Sequence, residues 1–250
     1  MRKRFLVEGT PHRLVSEVVR LYLNQPGEGT FEVMADPQWH GKPLVELYVS
    51  FGTPQEYLVM TGFAQSVTPL QPGLCRIECL ELSAVMQLPL IINKYHSTPR
   101  EIIGLIEAKT SLRFMLPTGA TYLDEKRVHF QSHGTCRDAL DAIATKWELP
   151  NVVWYQLPDG RMYWGHWSRG PFTANPLPID PKLVQAHDEK KRALVLPYIP
   201  ALRPGMLVES DFLYRIDSLE FKEDTVTVYY MKMGTGKGMP GKNNPLNEEV

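Results

Sequence analysis

What most constrains this chain is a period of two. Across the first 95 residues apolar and polar side chains alternate in short runs, broken at Pro26-Gly27, Asp36-Pro37, Gly41 to Pro43, Pro69 and Pro72-Gly73. A strand points successive side chains to opposite faces, so each such run buries one face and exposes the other. In 44–51, Val45, Leu47, Val49 and Phe51 fall on one side. In 56–63, Tyr57, Val59 and Phe63 continue the pattern, with Gly52-Thr-Pro-Gln55 as the intervening turn. Residues 74–82 set Cys75, Ile77 and Cys79 against Arg76 and Glu78. Many short antiparallel strands at this spacing predict a barrel or a sandwich. One helix is expected to interrupt them near Val15 to Leu23, against the strand-like Val18-Val19 and Leu21-Tyr-Leu23.

Composition narrows the class. The chain has 250 residues and is 43% hydrophobic, enough for one large core or two small ones and too apolar for global disorder. Its 27 Lys+Arg against 28 Asp+Glu leave a charge of −1, which excludes a surface that grips phosphates all over but not a local basic patch. Three cysteines cannot all pair, so a disulfide scaffold is excluded and a reducing folding compartment is favoured. Met1-Arg-Lys-Arg begins like a signal sequence, but Glu8, Gly9, Pro11, His12 and Arg13 stand where an apolar stretch is required. No run approaches the roughly 18 apolar residues of a membrane span. A soluble protein made in the cytoplasm is expected.

The middle changes period. Thr98-Pro-Arg-Glu101 combines a capping Thr, Pro at the first helical position and Glu placed to close a capping box, ahead of Ile102, Ile103, Ile106 and Leu112. The pattern returns at Thr135-Cys-Arg-Asp138, followed by Leu140, Ile143, Ala144 and Trp147 at helical spacing and ended by Pro150. His96 and His133 each stand two residues before the capping Thr. Two copies are too few for a solenoid, so two similar helices packed on a small sheet are expected. A hairpin follows, with 152–157 and 161–167 flanking Pro158-Asp159-Gly160. Residues 168–200 are rich in Pro and carry the charged run Asp188-Glu-Lys-Lys-Arg192, which reads as a solvated connection. Residues 212–221 and 225–231 form a last hairpin, and the Gly-, Pro- and Asn-rich tail from Gly234 onward is expected to be mobile.

Candidate chemistry is sparse. Gly236-Lys-Gly-Met-Pro-Gly-Lys242 approximates a phosphate-binding loop, yet Asn243 replaces the hydroxyl and Asn244-Pro245 opens no helix. His129, His133 and Cys136 lack an evident fourth zinc ligand, and Cys75 and Cys79 read as small buried residues on a strand. No Gly-x-Ser-x-Gly elbow exists, and no acid pair is identifiable by spacing. No catalytic residue, metal or cofactor is therefore expected. The aromatics Trp154, Tyr155, Tyr163, Trp164 and Trp167 are the feature that stands out. Three uses are open to them: core packing, an interface with another subunit, or a platform for a sugar ring.

The order of segments carries a resemblance. A β region passes through Pro89-Leu-Ile-Ile-Asn-Lys-Tyr95 into Thr98-Pro-Arg-Glu-Ile-Ile103. His133-Gly-Thr-Cys-Arg-Asp-Ala-Leu140, Val153-Trp-Tyr-Gln-Leu-Pro-Asp-Gly160 and Tyr163-Trp-Gly165 come next. Leu202-Arg-Pro-Gly-Met-Leu-Val208 and Tyr214-Arg-Ile-Asp-Ser-Leu219 close the series. From about residue 31 to 232 the chain resembles the baseplate hub proteins of contractile-tailed bacteriophages, the late control protein D family, whose relatives include the hub half of type VI secretion spike proteins.

The resemblance implies a mainly β, α+β fold of antiparallel β-barrel tube domains with a small α/β insertion. It divides the chain into a first tube-like domain at 1–95 and an insertion of two helices and a hairpin at 96–170. A linker at 171–200, a second β unit at 201–233 and a flexible tail at 234–250 follow. That second unit is short for a barrel, so either residues 171–200 and the N-terminal strands contribute to it or the hub is reduced. The implied role is structural: a trimeric baseplate ring in the virion that joins the tail tube or a distal tail protein to the central spike. Its channel would admit the tape-measure protein and, transiently, DNA. Strands 44–51 and 225–231 would be subunit seams, and net negative charge would face the lumen. The alternative is a glycan- or peptidoglycan-binding module built on the five aromatics.

Overall fold

The computed structural model describes residues 1–35, 39, 41–210 and 212–235. Asp36-Pro37, the phosphate-loop-like run 236–242 and the rest of the tail lie outside the described residues.

Six strands come first: β1 (Arg2–Val7), β2 (Thr10–Tyr22), β3 (Glu28–Met34), β4 (Leu44–Ser50), β5 (Tyr57–Gln71) and β6 (Leu74–Glu81). An α/β unit follows, made of β7 (Ile92–Ser97), α1 (Pro99–Thr110), β8 (Phe114–Met115), β9 (Arg127–Ser132), α2 (Cys136–Lys146), β10 (Val152–Gln156) and β11 (Met162–His166). The last strands are β12 (Leu177–Pro178), β13 (Ala186–Asp188), β14 (Ala193–Pro197), β15 (Leu207–Glu209), β16 (Phe212–Lys222) and β17 (Thr225–Thr235).

The architecture is mainly β, dominated by one 12-stranded sheet. Its first six strands pair antiparallel in the order β1-β4-β5-β6-β3-β2, and a β1–β2 pairing returns the circuit to its start. The alternation read from the sequence sets the inner face, where Val45, Leu47 and Val49 of β4 and Cys75, Ile77 and Cys79 of β6 are all buried. Phe51 lies past the end of β4 and is exposed.

The helix expected near Val15 to Leu23 is instead part of β2. Its ends are held by different partners: Thr10 to His12 pair with β1, Arg13 to Arg20 with β3, and Val18 to Tyr22 with β16. β-Branched Val18-Val19 favours this pleated setting, and three ladders override whatever helical period the segment carries.

The β2–β16 pairing joins the first barrel edge to edge with the C-terminal strands. The run read as connective supplies β12 to β14: β14 pairs with β17, β13 with β14, and β12 with β15. One apolar core serves both halves, with Phe5, Phe31 and Ile77 packed in the same cluster as Leu196, Leu202, Ile216 and Phe221. The two proposed seam strands are not open edges. β4 is paired on both sides by β1 and β5, and residues 225–229 of β17 lie between β16 and β14.

The faint repeat in the sequence is a repeated strand–helix unit. β7 leads into α1 and β9 into α2, and the two strands pair with each other. Both helices carry complete capping boxes, Thr98 with Glu101 and Thr135 with Asp138. Their inward residues, Ile102, Ile103 and Ile106 of α1 and Leu140 and Ile143 of α2, form a second core with Phe130.

Candidate functional site

The hairpin β10–β11 joins the two parts of the molecule. Its register pairs Trp154 with Trp164 and Tyr155 with Tyr163, so the tryptophans share one face and the tyrosines the other. Trp154 and Trp164 close the core beneath α1 and α2, where Tyr122 meets Trp164 edge-on at 6.3 Å. Tyr155 and Tyr163 lie 5.2 Å apart between centroids, in a third cluster with Val153, Trp167 and Leu207. Phe172 stacks on Tyr155 at 6.1 Å, and the Arg215 guanidinium lies 5.6 Å over Trp167. Burial raises the pKa of both tyrosine phenols well above the ordinary value, and the Tyr163 hydroxyl donates to the His166 carbonyl at 2.8 Å.

The five aromatics singled out in the sequence are therefore interior, with exposures of 2% for Trp154 and Tyr155, 1% for Tyr163 and Trp164, and 8% for Trp167. A sugar platform or a subunit contact needs a ring face that a partner reaches. Here both faces of the hairpin are covered from within the chain. Sequence alone places aromatics on two faces but does not reveal that a second layer waits on each.

Four polar residues that sequence reasoning missed fasten the hairpin and its surroundings to the barrel. The Asn24 amide N–H donates to the Trp154 carbonyl at 2.8 Å, and the Trp154 N–H donates back to Asn24 Oδ1 at 2.9 Å. Asn24 holds φ of +61°, a conformation Asn tolerates better than most residues. Buried Gln156 accepts from the Ser83 N–H at 3.0 Å and donates to the Thr61 carbonyl of β5 at 3.0 Å. Nearby, the buried Arg203 guanidinium donates to the carbonyls of Pro200 at 2.8 Å and Leu202 at 2.6 Å, and also to Leu58 of β5. Buried Glu81 accepts from the Gly27 N–H at 2.7 Å. Desolvation pushes the Glu81 carboxyl up to about 7 against the opposing pull of the Gly27 N–H and Arg203, and lowers Arg203 to about 10. The available signal was an Arg set among apolar residues in Leu202-Arg-Pro-Gly205, a context that rarely leaves a guanidinium in water.

Other sequence candidates are dispersed. His129 Nε2 lies 2.8 Å from Asn93 Oδ1 and its ring packs on Tyr95, His133 contacts Gln131, and Cys136 is buried at the start of α2. Among the described residues no cluster of three or more His, Cys, Asp or Glu side chains is arranged for a metal. No helix of the described residues is long and apolar enough to cross a membrane. A cleft of about 670 Å³ separates the barrel from the α/β unit, lined by Tyr22, Phe63 and Leu80 on one side and by Val85, Leu88 and Arg137 on the other.

No protein-family model matches the chain. It is 22% identical over 248 residues to an uncharacterized 58.7 kDa protein of Haemophilus phage HP1, covering 99% of this chain and 45% of that protein. The chain thus spans about half the length of the curated relative it matches. Among solved structures, it is similar to the 43 kDa tail protein of prophage MuSo2 from Shewanella oneidensis. That match has a TM-score of 0.68 and 10% identity, and covers 93% of this chain and 98% of the other. It is also similar to an Escherichia coli component of the type VI secretion system that exhibits structural similarity to the T4 bacteriophage tail proteins gp27 and gp5. There the TM-score is 0.64 at 10% identity, over 94% of this chain and 78% of the other. The resemblance read from the order of sequence segments and the likeness of the folds agree: this chain has the fold of phage tail proteins and of a type VI secretion component structurally similar to them.

Proposed function

We propose that the chain is a structural component of a phage tail baseplate hub, forming a trimeric ring that joins the tail tube to the central spike and leaves a channel for tape measure and DNA. The observation that carries this reading is a tail-protein fold spanning over nine-tenths of the chain, 93% in the prophage case. The reading assigns the chain no chemistry of its own.

The charge pattern of the continuous sheet is consistent with a conduit. Paired residues of neighbouring strands share a face, which places Glu220, Arg20, Glu28, Glu32, Arg76 and Glu78 together on the side opposite the core. Arg20 is held by Glu220 and by Glu28 at 3.1 Å, and Arg76 by Glu32 at 2.8 Å. Lys222 lies on the same face, so a polyanion passing it would meet two guanidiniums already neutralised and one ammonium, with the four carboxylates in excess by one. The alternative, a glycan- or peptidoglycan-binding module, has little to use at 152–167, where the rings are buried.

The test is an electron cryomicroscopy image of the intact particle together with its subunit stoichiometry. Three copies, or a multiple of three, arranged around the tail axis are expected. A position off that axis, or a copy number not divisible by three, overturns the reading.

A further inference from the structure

One row of side chains crosses the face of the sheet opposite the core and changes character on the way. Through β16, β2 and β3 it runs Glu220, Arg20, Glu28, joined by ion pairs. Through β6 and β5 it continues as Leu80 and Phe63, and it ends on Leu44 of β4. Leu80 and Phe63 are half-buried and belong to none of the apolar clusters. They form the floor of the 670 Å³ cleft, whose other side is the 3₁₀ turn Leu82–Gln87 with Leu88 after it. Leu88 is 39% exposed and also lies outside the clusters, although its carbonyl is held by the Cys136 N–H at 3.0 Å. A sheet face turned away from its core is ordinarily polar, and an apolar floor of this extent beside a few polar groups is the common form of a ligand site.

The polar part of the lining is biased in charge. Lys42 comes from the barrel and Arg137 from the first turn of α2, and neither has an ion pair among the described residues. Lys42 donates to Gln65 Oε1 at 3.1 Å. Carboxylates close by are already engaged. Asp138 accepts from the Thr135 N–H at 2.7 Å and its hydroxyl at 2.8 Å, and Glu28 accepts from Arg20 at 3.1 Å and the Tyr22 hydroxyl at 3.2 Å. Asp141, one turn further along α2, feels the Arg137 charge without an ion pair. Two cations thus stand beside an apolar floor, with the amides of Gln25 and Gln87 in the same lining to meet a main chain. Nucleic acid would use the cations and leave Leu80, Phe63 and Leu88 idle, and a wholly apolar segment would strand the cations. A segment that offers both a carboxylate and a large apolar side chain satisfies the whole lining.

We infer that the cleft binds an extended acidic segment of a partner protein, seating a large apolar side chain on Leu80, Phe63 and Leu88 and a carboxylate on Arg137. The inference goes beyond the ring proposed above. It needs neither three copies nor an axis, so either reading can fail while the other stands.

The probe is a displayed library of random short peptides selected on the purified full chain. Selected peptides are expected to share an Asp or Glu within a few residues of Leu, Ile, Phe or Met. Arg137→Glu tests the charge without endangering the fold, because an acid in the first turn of a helix is favoured. It should weaken the selected peptides by at least about tenfold, the equivalent of one lost charge-assisted bond. A fresh selection on that variant should turn from acidic to basic peptides. Lys94→Glu, the same charge change on β7 outside the cleft, should leave binding unchanged. Leu88→Asn should weaken binding while the preference for an acid persists. A selection that yields no binders, binders without the acid, or binders indifferent to Arg137→Glu overturns the inference. So does a single-stranded oligonucleotide whose binding is lost in Arg137→Glu and kept in Leu88→Asn, since the cleft would then read phosphate. Self-association of the parent that Leu88→Asn abolishes would give the cleft to a second copy of this chain and overturn it as well.

Discussion

Glu81 and Arg203 are held in the interior by different means. Arg203 spends its donors on three backbone carbonyls, standing in for a strand that β5 lacks at that point. Glu81 is left with the Gly27 N–H and a distant positive charge, too little to offset its desolvation. The space admits nothing larger: a Cβ on Gly27 would come within 2.8 Å of the Glu81 carboxyl and of the Arg20 carbonyl. A carboxyl raised from 4.5 to about 7 makes the folded state bind a proton that the unfolded chain releases. The resulting stability is whole below about pH 4.5 and is lost as pH rises through about 7. The shift corresponds to about 3 kcal/mol. Glu81→Gln keeps an acceptor for Gly27 and removes the titration. Urea unfolding of parent and variant from pH 4.5 to 8 should show the variant gaining by about that amount at the alkaline end. Parallel profiles would place the proton elsewhere.

Elements differ in how far the sequence alone reveals them, and the difference follows the range of the interactions that hold them. Helices α1 and α2 and the β10–β11 hairpin are held by contacts within a few residues: a capping Thr with its acid three positions on, an apolar face at helical spacing, Asp159-Gly160 in the turn. Those signals are local, and the structure has the elements where the pattern places them. Strand β2 and strands β12 to β14 depend on partners far away in sequence, such as Val18 on Lys222 and Ala193 on Tyr229. No window of neighbouring residues contains that information, so the local pattern gives a helix for the one and a connection for the others. The same holds for Gln156 and Asn24, whose partners lie 95 and 130 residues distant. The local character of the helix caps is itself testable. Thr98→Ala removes the acceptor for the Glu101 N–H at 3.2 Å and should cost about 1 kcal/mol in chemical unfolding. Thr98→Ser, which retains the cap, should recover most of it; equal losses in both would assign the effect to packing of the Thr methyl group.

At the scale of the whole molecule, the question is whether barrel and α/β unit are one cooperative body. The hairpin argues that they are. One of its faces belongs to the helical core and the other to the cluster containing Leu207 of β15, with Leu23 and Leu213 packed against it. Neither neighbour can open without exposing one side of Trp154, Tyr155, Tyr163 or Trp164, each large enough that uncovering it costs about 2 to 3 kcal/mol. Gln156 adds bonds from the same hairpin to β5 and to Ser83, and a buried amide stripped of them carries a further desolvation penalty. Chance has placed convenient reporters. Trp147, Trp154, Trp164 and Trp167 all sit in or against the α/β unit, and the remaining tryptophan, Trp39, packs at the barrel core beside His12. In a Trp39→Phe variant, fluorescence follows the α/β unit while the strand amide I band in the infrared follows the 12-stranded sheet. The two signals should give one coincident thermal transition, the signature of a single cooperative unit. Fluorescence lost at lower temperature than the β signal would mean that the hairpin belongs to the helices alone. A ring subunit would then have an arm that melts before its body, and the polar clamps at Asn24 and Gln156 would be passive contacts rather than the fastening inferred from their geometry.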